Sequence, residues 1–417
     1  MLPHVRRRVA ALAVVALIAS AIALVAPVGA VAAGSDTRPV AGFISFPGNG
    51  KAKAPKVRVL WFTRDWQYLG QKKANGGSYA LNLVPGTYWL QFVDQTASYR
   101  TDKYAPTDVK VTVRADRPTV RDVRMKRGAF VTGKVTTPTG PGRKARVAVA
   151  RTLPSGQDQS FDTTANRRGE FAIGGLPEGK WSVFAWDRAK RWTGKSVWAG
   201  KVRTGRGTDV RVPLRERAGS LRVLLYTPDG SALAGRTTVT VTSLKTGQWW
   251  TATARGGTAV FPGVHPGRYR LKFDGAGNWL ADEGRIRKAQ VRPGRPSIGT
   301  FEVRKRGGWI TGQAVDAGAP AYPLGQAQVQ LYDVYGTKID ETTSSDSGWF
   351  TLDGQLATQR NMTVVINPRP DRGGYVQTVS YCRFDSKSVT GVSVAQGKET
   401  RLGAVGVART PGQSPPC

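Results

Sequence analysis

The sequence predicts an all-β chain: four tandem seven-stranded Greek-key β-sandwiches after an N-terminal signal peptide. Three observations carry this expectation. A unit of about 90 residues recurs, with Gly77, Gly169, Gly257 and Gly348 opening similar paired strands at spacings of 92, 88 and 91 residues. Three units carry a Pro-Gly turn followed by an aromatic and an alternating strand: "LVPGTYWLQF" (83–92), "LPEGKWSVFA" (176–185) and "VHPGRYRLKF" (264–273). Elsewhere, β-branched and apolar residues alternate with period 2 between Gly and Pro punctuation, which is the pattern of strands. No convincing amphipathic helix follows residue 33.

The elements follow in order. Arg6, Arg7 and Arg8 precede an apolar run from Val9 to Ala26 and a small-residue site at Val31-Ala32-Ala33, with Ala30 as a second choice. This reads as a secretory signal peptide over 1–33, against the alternative of an uncleaved anchor. No later segment is apolar enough to span a bilayer. The repeats then run 38–127, 128–217, 218–306 and 307–408. The fourth diverges: Gly348 to Phe350 fit the pattern, but the Pro-Gly turn is missing. Residues 409–417, "RTPGQSPPC", read as a tail. Opening strands such as "FVTGKV" (130–135) and "WITGQAV" (309–315), and closing strands such as "TDVRVPL" (208–214), frame each unit. Short basic junctions (126–130, 215–220, 305–309) imply stiff, bead-like stacking.

Alternation sorts the aromatics. Tyr88, Leu90 and Phe92 share an inward face, as do Trp181, Val183 and Ala185, and Tyr269, Leu271 and Phe273. Trp249 stands at the offset of Leu69 and Phe161 and is expected in the core.

Charge narrows the partners. Lys and Arg total 62 against 28 Asp and Glu, a formal net charge of +34. Loss of Arg6, Arg7 and Arg8 with the signal lowers it from +34 to +31. Such an excess attracts polyanions: acidic wall polymers, acidic polysaccharides, anionic lipid surfaces or DNA. Solubility alone is the plainer reading. The two cysteines, Cys382 and Cys417, are expected to form a disulfide in an exported chain, with two free thiols as the alternative.

The run "GEFAIGGLPEGKWSV" (169–183) resembles the carboxypeptidase regulatory-like domain. It is also similar to the B-type repeats of Gram-positive surface adhesins. Both resemblances imply a prealbumin-like, or carbohydrate-binding-like, sandwich. They cover the first three units well and the fourth weakly. They are unspecific for function, because such domains serve as stalks, spacers, adhesins and glycan binders. Some adhesin repeats carry an internal Lys–Asn or Lys–Asp bond. Here Lys134 and Asp209 are the candidates, but Glu170 is out of phase with the core, so no such bond is expected.

Catalysis is poorly supported. After the signal, His265 is the one histidine, and its Pro-Gly turn predicts an exposed residue. No Cys/His spacing suggests zinc, and no run of alternating acids suggests calcium. Asp282-Glu283 and Asp340-Glu341 are adjacent on strands and point opposite ways, unlike a hydrolytic pair over a cleft. The expectation is therefore a non-enzyme without metal or cofactor.

The outward faces are more informative. Trp89, Phe184, Trp186, Trp250 and Trp349 fall out of phase with the core and are expected to meet solvent. Arg167-Arg168 and "DRAKRWTGKSVW" (187–198) interleave Arg188, Lys190, Arg191 and Lys195 with Trp192 and Trp198. Cations beside aromatic plates suit an anionic glycan, and suit a single-stranded nucleic acid less well. Packing between units is the competing reading of the same tryptophans. Three functions remain: a secreted or wall-associated protein binding acidic envelope polymer, an α-glucan binder of the kind found beside polysaccharide hydrolases such as α-amylase, and a stalk contacting another protein.

Overall fold

The computed structural model describes residues 37–48, 54–153, 158–368 and 382–413. The signal expected over 1–33, and Cys417 with residues 414–416 of the expected tail, lie outside the described residues. The chain is all-β, and no helix occurs among the described residues.

The second stretch shows the pattern. Ala129–Thr137 pairs antiparallel with Glu170–Leu176 and parallel with Gly207–Pro213. The facing sheet has Arg146–Thr152 between Asp158–Thr164 and Gly179–Trp186, with Val197–Val202 outside the latter. The same pairing recurs around the opening strands Arg38–Ser45, Gly219–Tyr226 and Gly308–Asp316. In the third stretch Arg255 also pairs with Thr258, joining both layers into one continuous seven-stranded sheet. Among the described residues, buried side chains gather into four separate clusters, within 40–125, 129–214, 221–303 and 310–407.

Two local constraints explain why the sequence repeats. The aligned glycines Gly77, Gly169, Gly257 and Gly348 all have positive φ, between 71° and 91°. Each carbonyl accepts from a residue of the opening strand: Ile44, Val135, Leu225 and Ala314. At Gly169 a Cβ would stand 2.4 Å from the Val135 carbonyl oxygen. Only glycine meets both demands.

The second constraint is the aromatic after the Pro-Gly turn. The Tyr88 hydroxyl donates to the Val84 carbonyl (2.9 Å), and Trp181 Nε1 donates to the Pro177 carbonyl (3.0 Å). The Tyr269 hydroxyl donates to the His265 carbonyl. Each ring is buried, and each bond reaches back four residues to staple its own turn. In the fourth stretch Met362 fills the core position, and Asn361 takes φ +58° where the pairing register shifts. Asparagine tolerates that conformation, so the turn closes without glycine.

A third feature was not legible beforehand. After the fifth strand of each stretch an aromatic doubles back and bridges a basic residue of the exit linker. The pairs are Tyr104 with Arg127, Trp192 with Arg217, Trp279 with Arg306, and Phe384 with Arg409. In the first two stretches an aspartate ending the fifth strand holds this loop. Asp94 accepts from the amides of Thr96 and Tyr104, and Asp187 from those of Ala189, Arg191 and Trp192. The first three stretches are therefore pinned where the chain passes to the next unit, and the fourth where the chain leaves its last strand. The fourth stretch also reaches back to the first: Tyr335 packs edge-on against Tyr88, 6.1 Å between ring centres.

The third stretch corrects one expectation. Trp250, not Trp249, is in the core, and Trp249 is half-buried at the surface of its unit. Trp250 pairs with the buried Val241, as Phe161 pairs with the buried Val149. Trp250 is seven residues before Gly257, whereas Phe161 is eight before Gly169. The hairpin is one residue shorter, and a one-residue slip on a strand exchanges its two faces. Lys134, a candidate for an internal bond, is exposed, and Asp209 accepts from Thr132 Oγ1.

Cys382 is 2% exposed in the fourth core. Full-length protein should resist thiol alkylation until reduced, and mass spectrometry of the unfolded, unreduced chain checks this. Gly169→Ala should destabilise the second unit by about 3 kcal/mol, from the left-handed backbone and the carbonyl clash together. A shift in its denaturant midpoint, with the other units unmoved, is the readout.

Candidate functional site

The most promising surface lies at one end of the second stretch. The strand Gly179–Trp186 ends at Asp187, whose carboxylate is met by three amides of its own loop, at 3.0 to 3.1 Å. Lys190 turns the loop with φ +58°. Trp192 and Thr193 then pair with Arg217 and Glu216 of the linker, and the Arg217 guanidinium sits 5.3 Å from the Trp192 ring centre. Facing this loop is the hairpin at the end of the opening strand, where Thr136 and Thr137 pair with Pro141 and Gly140.

Between the two lies a hollow of about 430 Å³, lined by Thr137, Thr139, Pro141, Arg143, Asp187, Arg188, Ala189, Arg191 and Trp192. Its rim continues into the turn bearing Arg167 and Arg168. There the Lys144 amide donates to the Asn166 carbonyl, and Gly169 packs against Gly142. Arg143, Lys144, Arg167, Arg168, Arg188 and Arg191 thus converge on one end, and all are exposed. None of the six forms an ion pair among the described residues. The neighbouring acids are engaged elsewhere: Asp187 by its loop amides, and Glu170 by Asn166 Nδ2 at 2.9 Å. The potential at this end is therefore positive. Planar guanidiniums around a concave surface suit two-oxygen recognition of a carboxylate or phosphate.

The sequence-predicted residues divide into groups. Arg191 and Trp192 line the hollow, Lys190 stands on the same loop, and Arg167 and Arg168 flank it. Arg143 and Lys144 were missed, although "GPGRKA" (140–145) announces a tight turn followed by two cations. Trp198 and Trp349 are exposed, at 60% and 54%, on separate strands away from the hollow.

The remaining tryptophans do other work. Phe184 and Trp186, expected in solvent, are buried and half-buried against the third unit. Trp249 packs edge-on to both, with ring centres 5.1 Å away in each case. Trp186 Nε1 donates to the Trp249 carbonyl, and Gln248 Nε2 to the Ala185 carbonyl, both at 2.8 Å. Alternation along one strand gives the face but not the neighbour that covers it. Trp89 is half-buried for a similar reason. It stacks on Trp66 at 5.0 Å and 14°, and its Nε1 donates to the Arg64 carbonyl.

His265 is also corrected. It is 0% exposed, because its turn presses on the linker from the second unit. The paired acids have structural partners: Asp282 meets Lys305 at 2.9 Å, Glu341 meets Lys338, and Asp340 accepts from the Gly354 amide. Among the described residues no group of three or more His, Cys, Asp or Glu side chains is placed to hold a metal.

No family model matches the chain, and no curated protein matches it. Solved structures similar to it include the Bacillus anthracis TIE protein, at 11% identity and TM-score 0.23, covering 90% of this chain and 76% of that one. The shaft pilin spaA from Lactobacillus rhamnosus GG is similar at 10% identity and TM-score 0.29, covering 46% of this chain and 99% of that one. GBS52, the minor pilin of Streptococcus agalactiae, is similar at 14% identity and TM-score 0.24, covering 48% and 100%.

Trp249→Ala should weaken the contact between the second and third units by about 2 kcal/mol, through lost ring packing. Calorimetry of the full chain should then show these two units melting further apart in temperature.

Proposed function

We propose that the chain is an exported, non-catalytic repeat protein whose second unit holds an anionic envelope polymer or acidic polysaccharide. One observation carries this reading: Arg143, Arg188 and Arg191 line a hollow of about 430 Å³ that contains Trp192, and Lys144, Arg167 and Arg168 stand exposed beside it, none of the six in an ion pair among the described residues. Guanidiniums pair with carboxylate or phosphate, and the Trp192 ring offers a plate on which a sugar can stack. A neutral α-glucan would use the plate and leave the cations idle, so it fits less well. A single-stranded nucleic acid would use both but gains nothing specific from a single ring.

The stalk reading is favoured by a different observation, the bridging of each exit linker by an aromatic of the preceding unit. The two roles are compatible: a stiffened chain would present the hollow at a fixed place. The same reading takes residues 1–33 as a secretory signal and the four clusters as four modules bounded near 127, 217 and 306.

Retention on immobilised polygalacturonate, inorganic polyphosphate and amylose across a salt series tests the proposal. Retention on one or both polyanions should fall steeply with salt, and amylose should not retain the protein. Arg143→Ala, Arg188→Ala and Arg191→Ala together should weaken polyanion binding at least tenfold, by roughly one charged hydrogen bond or more, with unchanged melting. Salt-insensitive retention on amylose, or unaltered polyanion binding by the triple variant, would overturn it.

A further inference from the structure

The junction between the second and third units holds a buried histidine that the binding site does not use. His265 follows the strand Thr258–Val264 and is fully enclosed. Its Nδ1 lies 2.8 Å from the Pro266 carbonyl oxygen, a pure acceptor, so Nδ1 carries the proton in the neutral ring. That leaves Nε2 as a bare lone pair. Nε2 is buried, has no hydrogen-bond partner among the described residues, and lies 3.3 Å from Glu216 Oε2, off the line of a hydrogen bond. Two acceptors face each other across the junction. A buried polar atom left in this way is costly.

We infer that His265 and Glu216 form a latch between the second and third units that acid closes. Protonation places an N–H on Nε2, opposite the carboxylate. The Glu216 side chain is 40% exposed and can rotate into line. The contact then changes from two opposed lone pairs to a charge-assisted hydrogen bond. The sign is fixed by this chemistry: the latch is present with the protonated ring and absent with the neutral one.

Charged groups approach the ring from three elements. The loop over Gly263 brings Lys190, Arg191 and Arg188, and Asp187 on that loop is met by its own amides. The linker strand brings Arg217, stacked on Trp192. The histidine's own turn brings Arg268 and the buried Tyr269, whose hydroxyl is bonded to the His265 carbonyl and held neutral by burial. Glu216 is the carboxylate that meets the ring.

The latch has a direct mechanical readout. Glu216 and Arg217 pair with Thr193 and Trp192, and the Ala218 amide donates to the Arg191 carbonyl at 3.0 Å. Closing the latch steadies this two-strand strap. Amide hydrogen exchange of the full-length protein, corrected for intrinsic rates, follows it at 191–193 and 216–218. Protection should be roughly tenfold greater at pH 5 than at pH 8, the range over which imidazoles titrate. The equivalent strap of the first unit, Tyr104–Ala105 with Lys126–Arg127, has no histidine beside it and should show no such change. His265→Gln should abolish the difference. Glu216→Gln, a change at a partly exposed position, should reduce it below about threefold and decides the matter if the first variant does not fold. A pH difference that persists in His265→Gln, one that stays above about threefold in Glu216→Gln, or none in the natural protein, would overturn the inference. Polyanion binding does not enter this readout.

Discussion

The reach of one aromatic side chain back to the carbonyl four residues before it holds each of the first three units together. The ring is fully enclosed in its core, and its polar tip donates to a turn carbonyl. Core packing and turn geometry are thereby fixed by a single residue. Because the turn joins strands of the two facing sheets, the bond also fixes how those sheets are laid together. The left-handed glycine completes the lock from the other side by offering its carbonyl to the opening strand. Both requirements are local, and this is why they survive as a readable repeat.

The same locality decides what could be read in advance. The strands, the inward faces of Tyr88, Trp181 and Tyr269, and the exposure of Trp349 follow from period-2 alternation, and the structure agrees. Trp249 and Trp250 exchanged places because one residue is missing from a hairpin, a change invisible to alignment on a distant glycine. Phe184, Trp186 and His265 lie against a neighbouring unit, and a single strand's pattern carries no information about what is packed on its outer side. Half of the hollow was legible in the loop 187–192. Its other wall, at Arg143, is 44 residues earlier and meets the loop only because the two sheets close on each other.

The charge distribution has a physical logic. A carboxylate beside the arginines would cancel the field of the hollow, and Asp187 stands in the midst of them. Its oxygens are directed at backbone amides, so its charge is largely met within the loop it shapes. That same loop continues into Trp192 and Thr193, the two residues that bridge the linker. One short segment therefore forms a wall of the hollow and a side of the junction.

This sharing has a consequence for how the units behave together. A loop held at its start by Asp187 and at its end by the linker strand has little freedom of its own. Whatever steadies the linker also steadies Arg191 and Trp192, and whatever grips those two side chains resists bending between the second and third units. Coupling of this kind needs no long pathway, because the two sites are adjacent along one stretch of backbone. It requires only that the strap have more and less ordered forms, and the opposed acceptors of His265 and Glu216 provide a reason for the less ordered one to exist.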